Sequence, residues 1–371
     1  MSSRAKLAVD IGGTFTDLVL EKDGTRHQAK LLTTPAAPEE AVLDGTRRIL
    51  AKSDTEAGAV ELVIHGTTLA TNALIERKGA KTGLITTEGF RDSVEIAYEH
   101  RFEQYDLYME RPAPLVPRHW RLGVPERMAA DGEVLLTLDE AILKERVSAL
   151  QAEGIESLAI CFLHSYMNAS HEERARDLVS KILPDVAISI SSEICPEIRE
   201  YERMSTVCAN AYVQPMISRY LGRLETGLSK LGLDCPLLLM MSSGGITTVE
   251  TASRQPIRLV ESGPAGGAIL AQNIAAQNGL DKVLSFDMGG TTAKITLIDN
   301  CEPLLSRSFE VARAYRFLKG SGLPLRIPVI EMVEIGAGGG SVATLDDLQQ
   351  IAVGPESAGS DPGPACYDRG N

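Results

Sequence analysis

One short phrase occurs twice in this chain, and its repetition constrains the fold more than any other feature. Asp10-Ile-Gly-Gly-Thr-Phe-Thr-Asp17 returns as Asp287-Met-Gly-Gly-Thr-Thr-Ala-Lys294. Each copy follows an apolar run and precedes another: residues 7–9 and 18–20 for the first, 283–286 and 295–298 for the second. That is the pattern of two β-hairpins with one turn chemistry. A single Asp-x-Gly-Gly-Thr can be nothing more than a tight turn; two in equivalent strand–turn–strand settings argue for a shared ligand.

The residue types name that ligand. Gly12, Gly13, Gly289 and Gly290 permit positive φ and bring backbone N–H groups up to an anion with no side chain between. Thr14, Thr16, Thr291 and Thr292 add hydroxyl donors for phosphate oxygens. Asp10 and Asp287 would be repelled by phosphate itself, so they make sense as ligands to Mg²⁺ or to its waters, which bridge to the phosphates. Two such hairpins face to face would clamp a triphosphate between two domains, with Asp10 and Asp287 as the candidate catalytic carboxylates. A third glycine cluster, Gly336-Ala-Gly-Gly-Gly-Ser341, places Gly336, Gly338, Gly339 and Gly340 after the apolar run 327–333. It lacks the spacing of a dinucleotide-binding turn. Its bare backbone suits either the ribose or base of a nucleotide, or close packing of a loop on its neighbour. No Gly-Lys pair occurs anywhere, so a P-loop of the usual kind is excluded.

Apolar strand-like runs alternate with amphipathic helical stretches, which predicts an α/β fold of sheets covered by helices. Helices are expected at 38–51, 69–77, 138–153 and 171–183, and a long one at 200–231. Between 98 and 127 the pattern gives way to aromatics, arginines and four prolines, Pro112, Pro114, Pro117 and Pro125, which bar a continuous helix. That stretch is either a substrate-facing loop or a packing arm. The 371 residues suit two or three domains, with a boundary expected near 190–205: a first domain over 1–195 and a second over 196–371.

A formal charge of −13 argues against nonspecific nucleic-acid binding. The six cysteines include no Cys-x-x-Cys pair, so reduced thiols in the cytoplasm are expected. Residues 1–9 lack the pattern of a signal peptide, and the longest apolar run, 236–241, falls far short of a membrane span.

The two hairpins with the later glycine turn resemble the actin-like (ribonuclease H-like) ATPase superfamily, which includes sugar kinases and heat-shock chaperones. Within it, the text resembles the hydantoinase A/5-oxoprolinase family, including N-methylhydantoinase A-like proteins and the acetone carboxylase β subunit. The more specific segments are His65-Gly-Thr-Thr-Leu-Ala-Thr-Asn-Ala73 with Glu76-Arg-Lys-Gly79, Tyr105-Asp-Leu107, Glu200-Tyr-Glu-Arg203, Glu261-Ser-Gly-Pro-Ala-Gly-Gly267, and the run from Gly354 to Tyr367. The resemblance covers the whole chain. It implies a two-domain ATPase that uses ATP and Mg²⁺ to phosphorylate the carbonyl of a cyclic amide or imide, such as hydantoin, N-methylhydantoin or 5-oxoproline, so that the ring can be opened. It also implies a hydantoinase B-type partner subunit, and is compatible with a homo-oligomer. A carboxylase acting on a ketone or bicarbonate, or a nucleotide-gated binding protein, would keep the same nucleotide machinery. Two departures stand out. Lys294 occupies the end of the second turn where many relatives carry Asp, and could pair with a phosphate instead. Relatives are also much longer, so the second domain is expected to be cut short.

His65 is the best imidazole candidate, following an apolar run and opening Gly66-Thr67-Thr68; it suits proton transfer or substrate orientation, or a hydrogen-bonded structural histidine. His100 and His119 read as surface residues. Glu261 either faces the cleft or caps the following helix.

Overall fold

The computed structural model describes residues 4–34, 36–99, 101–290, 292–313, 319–346, 348–359 and 363–367. Thr291, His100 and the end of the chain from 368 lie outside the described residues.

In β1 (Ala5–Ile11), Ala5, Leu7, Val9 and Ile11 point inward while Lys6, Ala8 and Asp10 point outward, the period of two that a half-buried strand requires. It pairs antiparallel with β2 (Phe15–Lys22), which pairs antiparallel with β3 (Thr25–Leu32). On its other side it runs parallel to β4 (Val60–Thr67), and β4 runs parallel to β11 (Leu237–Met240), edged by β12 (Ile246–Thr248). The sheet order is β12-β11-β4-β1-β2-β3. Two of its strands therefore come from beyond the long helix. That helix, α7 (Glu200–Lys230), and α1 (Pro38–Lys52) cover the inner face with Leu221, Leu224, Val42 and Ile49. Each such side chain contributes roughly 1.5–3 kcal/mol relative to exposure. Gly227 of α7 lets α1 come near, since a β-carbon there would strike Leu43.

A second sheet, β10-β9-β5-β6, is parallel throughout: β5 (Thr82–Thr87), β6 (Arg121–Val124), β9 (Ser157–Cys161) and β10 (Ala187–Ile190). All of β5 and β9 is buried, because α7 covers one face and α4 (Glu140–Ala152) with α5 (Ser170–Ile182) the other. Asp139 caps α4 by accepting from the Ala141 and Ile142 amides at 3.0 Å, a bond of about 1 kcal/mol. After β6 the chain enters the hairpin of β7 (Arg127–Met128) and β8 (Val134–Leu136); between α3 (Ser93–Ile96) and β6 the described residues of the proline-bearing stretch form no strand. Arg111 holds it by donating to the Ile96 and Tyr98 carbonyls at 2.8 and 3.0 Å. Its tip projects Tyr105, Leu107 and Tyr108, each at least 87% exposed.

Short helices link the layers: α2 (Leu69–Ile75), α6 (Ser191–Ile194) and α8 (Val249–Arg254). After α9 (Ser262–Gln277) comes a third sheet, with β13 (Lys282–Met288) and β14 (Ala293–Asp299) antiparallel, and β14 flanked by β15 (Glu302–Pro303) and β20 (Val333–Ile335). One face packs on α9; the other leaves Leu284, Phe286, Met288, Leu297 and Val333 more than half exposed. Small pairs complete this half: β16 (Leu305–Ser306) with β19 (Val329–Ile330), β17 (Phe309–Val311) with β18 (Leu323–Leu325), and β21 (Ser341–Leu345) with β22 (Ile351–Ser357). Among the described residues no helix is long and apolar enough to cross a membrane.

Candidate functional site

The two repeated phrases close with the same backbone hydrogen bond. In the first, the Gly12 amide donates to the Phe15 carbonyl at 2.9 Å; in the second, the Gly289 amide donates to the Thr292 carbonyl at 3.0 Å. Asp10 faces Asp17 across the first ladder, and Asp287 faces Lys294 across the second.

Asp10 stands on the outward face of β1, opposite Gly66 of β4. A β-carbon on Gly66 would lie 2.9 Å from Asp10 Oδ1, and one on Gly263, in the first turn of α9, 3.0 Å from the same oxygen. The carboxylate is thus seated between two backbones that only glycine allows so close. Although solvent reaches it, the surrounding protein displaces enough water to raise its pKa. The charges of Asp17 and Asp287 raise it further, and Lys30 opposes them. Asp10 and Asp287 therefore lie near enough to feel one another.

The seat is held from behind. The Thr67 amide donates to Ser262 Oγ at 3.0 Å and the Ser262 hydroxyl donates to the Thr67 carbonyl at 2.9 Å, clasping the end of β4 to the start of α9. Glu261 precedes α9 in a left-handed conformation, φ 61° and ψ 27°, which costs a non-glycine residue of order 1 kcal/mol. It is buried, and its carboxylate receives the Lys294 ammonium. Lys294 also stands 3.9 Å from Glu334 of β20. Burial raises the Glu334 pKa against the pull of Lys294; Glu261 adds to the rise, while Arg313 and a hydrogen bond with Thr292 oppose it. Lys294 thus meets two carboxylates rather than standing free for a phosphate. Asp17, its counterpart in the first hairpin, is paired with Lys30 of β3 at 2.8 Å.

The remaining expected residues divide clearly. Gly12, Gly13, Gly289 and Gly290 form the turns, and the backbone of Thr14 accepts from the Thr33 amide at 2.9 Å. Thr16 pairs with Ile11, on the face opposite Asp10. It is fully buried, with its hydroxyl 3.0 Å from that of Thr33, so it does not join the outward group. The Gly336–Gly340 stretch lies against the second turn: the Gly339 and Gly340 amides donate to the Gly289 and Gly290 carbonyls at 2.9 and 2.7 Å, and the Gly338 amide donates to Ser341 Oγ at 2.8 Å.

His65 is not brought to the carboxylates. It pairs with Val9, not Asp10, so it projects from the opposite face of the sheet and is 1% exposed. Its Nδ1 lies 3.3 Å from the Val9 carbonyl, which can only accept, so Nδ1 carries the proton. Nε2 then accepts from the Tyr220 hydroxyl at 2.7 Å. Burial lowers its pKa to about 4. A neutral imidazole with both nitrogens engaged inside the core fits the structural alternative, not proton transfer in the cleft.

Gly66, Gly263 and Glu334 were not singled out from sequence. The first two lie inside the segments quoted for the family resemblance, and Glu334 is the one polar residue of its strand. Among the described residues no three His, Cys, Asp or Glu side chains gather as a metal site. Magnesium commonly needs only one or two carboxylates with phosphates and water completing its shell. The glycine-cradled Asp10, Asp287 and the open turns fit such a shared Mg–triphosphate.

A sequence model of the hydantoinase/oxoprolinase N-terminal region matches residues 6–183, and one of hydantoinase/oxoprolinase matches residues 203–371. The caprolactamase subunit alpha of Pseudomonas jessenii is 37% identical over 98% of this chain and 52% of its own length. The crystal structure of the ATP-dependent caprolactamase from that organism superposes with a TM-score of 0.84 at 35% identity, over 99% of this chain and 53% of that one. The nucleotide-free structure of acetone carboxylase gives 0.82 at 26% identity, over 97% and 51%. The fold is thus of the actin-like ATPase type, as expected. The chain spans about half the length of the curated relatives it matches.

Proposed function

The chain belongs to the hydantoinase/oxoprolinase family, and from that premise we propose that it is the nucleotide-using portion of an enzyme that activates a cyclic amide or imide for ring opening. The observation that carries this reading is the pair of identically closed turns, with Asp10 and Asp287 within reach of each other's charge. The turns at Gly12, Gly13, Gly289 and Gly290, closed by the Gly12 and Gly289 amides, receive a triphosphate, and Asp10 and Asp287 hold Mg²⁺ directly or through its waters. ATP, when bound, supplies the phosphoryl group that turns an unreactive amide carbonyl into one that water can attack. The protein's part is positioning and charge. Gly66 and Gly263 fix the direction of the Asp10 carboxylate, and the Thr67–Ser262 clasp fixes Gly66 and Gly263. His65 acts at one remove, holding β4 against α7 through Tyr220.

We keep the sequence's division into a first domain over 1–195 and a second over 196–371 as a proposal, with β11 and β12 of the second range completing the sheet of the first hairpin. Hydantoin, N-methylhydantoin and 5-oxoproline are the substrates to try, in the cytoplasm and beside a B-type subunit, since the caprolactamase relative is itself named a subunit. Likeness to acetone carboxylase favours one second reading, the same activation applied to a ketone.

Calorimetric titration of the full-length protein tests the nucleotide reading: Mg-ATP should bind and NADH should not. ATP turnover is then measured with each cyclic amide, with acetone plus bicarbonate, and with neither. Stimulation by a ring supports the proposal, stimulation by acetone alone moves the reading to a carboxylase, and preference for NADH ends both.

A further inference from the structure

A cavity of about 310 Å³ opens between α7, the β17–β18 pair and β19–β20. Its volume falls at the lower end of the roughly 300–1,000 Å³ usual for small-ligand sites. Glu334 lines it, with 39% of its side chain exposed, and the same carboxylate stands beside Lys294 and hydrogen-bonds with Thr292 of the second turn. The cavity wall is therefore one residue removed from the candidate phosphate site. Tyr98 also lines it and is shared with a separate cavity beneath the proline-bearing arm.

Two of the positive charges on the wall are paired within the protein. Arg326 donates to Glu202 Oε1 at 3.2 Å and to Glu197 Oε2 at 3.1 Å. Arg313 donates to Glu310 Oε2 at 3.1 Å. Lys319, the third cation, is exposed, and Glu331 and Glu334 add two further carboxylates. Among the described residues four acidic groups thus face three basic ones, and both of the arginines donate to carboxylates of the protein. That acidic excess repels a ligand bearing its own carboxylate and leaves an uncharged ring with an N–H unopposed.

Building on the proposed carbonyl activation, we propose that this cavity binds the ring of the cyclic amide, that Glu334 accepts a hydrogen bond from the ring N–H beside the second turn, and that the site selects neutral lactams and imides over carboxylate-bearing rings such as 5-oxoproline. Glu334 is then a substrate-binding residue, distinct from the carboxylates assigned to Mg²⁺.

The test uses the full-length enzyme with any partner subunit, ATP turnover as the readout, and hydantoin, ε-caprolactam and 5-oxoproline as probes. A neutral ring should give the highest kcat/KM. Glu334→Gln should raise KM for that ring by about tenfold or more, the worth of one charge-assisted hydrogen bond, while calorimetric affinity for Mg-ATP changes less than about twofold. Glu310→Gln frees Arg313 and should shift the kcat/KM ratio several-fold toward 5-oxoproline; it also keeps the idea testable if the Glu334 variant folds poorly. Preference of the wild type for 5-oxoproline, or an unchanged KM in Glu334→Gln with ring-stimulated turnover intact, overturns the assignment of this cavity while leaving carbonyl activation standing. Loss of Mg-ATP binding, or no response to any ring, overturns the function on which it rests.

Discussion

The two hairpins share a closing hydrogen bond and an antiparallel ladder and differ in almost everything around them. The first sits within a six-stranded sheet whose inner face is covered by α1 and α7. Its flanking Asp17 is neutralised by an exposed lysine on the next strand. The second sits in a smaller sheet with one apolar face open, and its flanking Lys294 reaches Glu261 at the start of α9 as well as Glu334. The turn depends on a local run of glycines, so duplication preserves it. The flanking charge depends on which neighbour the rest of the chain supplies, so it has reversed sign: one hairpin is tied within its own sheet, and the other is tied to a different element of the molecule.

The hardest test of their equivalence is removal of one charge from each. Asp10→Asn and Asp287→Asn keep the side-chain shape, and turnover should fall in either variant by about 10²–10³-fold with Mg-ATP affinity little changed. If one variant is fully active, the hairpins do not share the metal and the symmetry is of shape alone.

Acid separates the halves next. The His65 pKa is depressed in the folded protein, so its contribution to stability is complete above the unfolded value near 6.5. It is lost as pH falls through the range down to about 4. At roughly 1.4 kcal/mol per unit, the loss approaches about 3 kcal/mol. Asp10, raised rather than lowered, has the opposite sign: its contribution is present below the unfolded value and fades as pH rises through the folded one. Hydrogen exchange between pH 7 and 4.5 should show β1 and β4 losing protection ahead of β13 and β14. A His65→Gln variant, which removes the titration, should flatten that difference.

The flanking lysines give a smaller contrast. Lys294→Met leaves the buried Glu261 carboxylate unpaired and should cost about 3 kcal/mol, whereas Lys30→Met, at an exposed pair, should cost less than about 1 kcal/mol. Denaturant melts of both variants check this, and equal losses would mean the second tie is no stronger than the first. Smallest of all is the response of the turns to one methyl group. A β-carbon at Gly12 would meet the Phe15 carbonyl at 3.2 Å, but one at Gly289 would meet the Thr292 carbonyl at 3.7 Å. Gly12→Ala should thus lower stability by about 1 kcal/mol more than Gly289→Ala, read as a difference in melting temperature.

The turns were legible because their information is local: glycines, a following threonine and two apolar runs. The helices α1, α2, α4 and α7 were legible from spacing for the same reason. β3 was not singled out, since its Thr-Arg-His-Gln-Ala-Lys text is polar and only pairing with β2 makes it a strand. Nor could sequence reveal that β11 joins β4, a parallel pairing across the whole second sheet. His65 shows the cost of missing register. One residue along β4 separates Gly66, which seats Asp10, from an imidazole on the opposite face. Thr16 is displaced from the outward group by the same alternation. Glu334 was hidden because its importance comes from Lys294 and Thr292, some forty residues earlier.

The bonds from Gly339 and Gly340 to the carbonyls of Gly289 and Gly290 involve no side-chain atom. A brace of that kind has no rotamer to lose and no group that titrates with the buffer, and salt has no net charge there to screen. The lysines on either side of the cleft will respond to every change of medium; the outline of the second turn will stay fixed for as long as the strands hold. The same economy makes it intolerant of addition. A single extra carbon at Gly340 would stand 3.0 Å from the Gly290 oxygen, whereas one at Gly339 would stand 3.8 Å from the Gly289 oxygen, so a mutational scan should find Gly340 resisting larger residues for reasons of space alone, with Gly339 the more tolerant of the two.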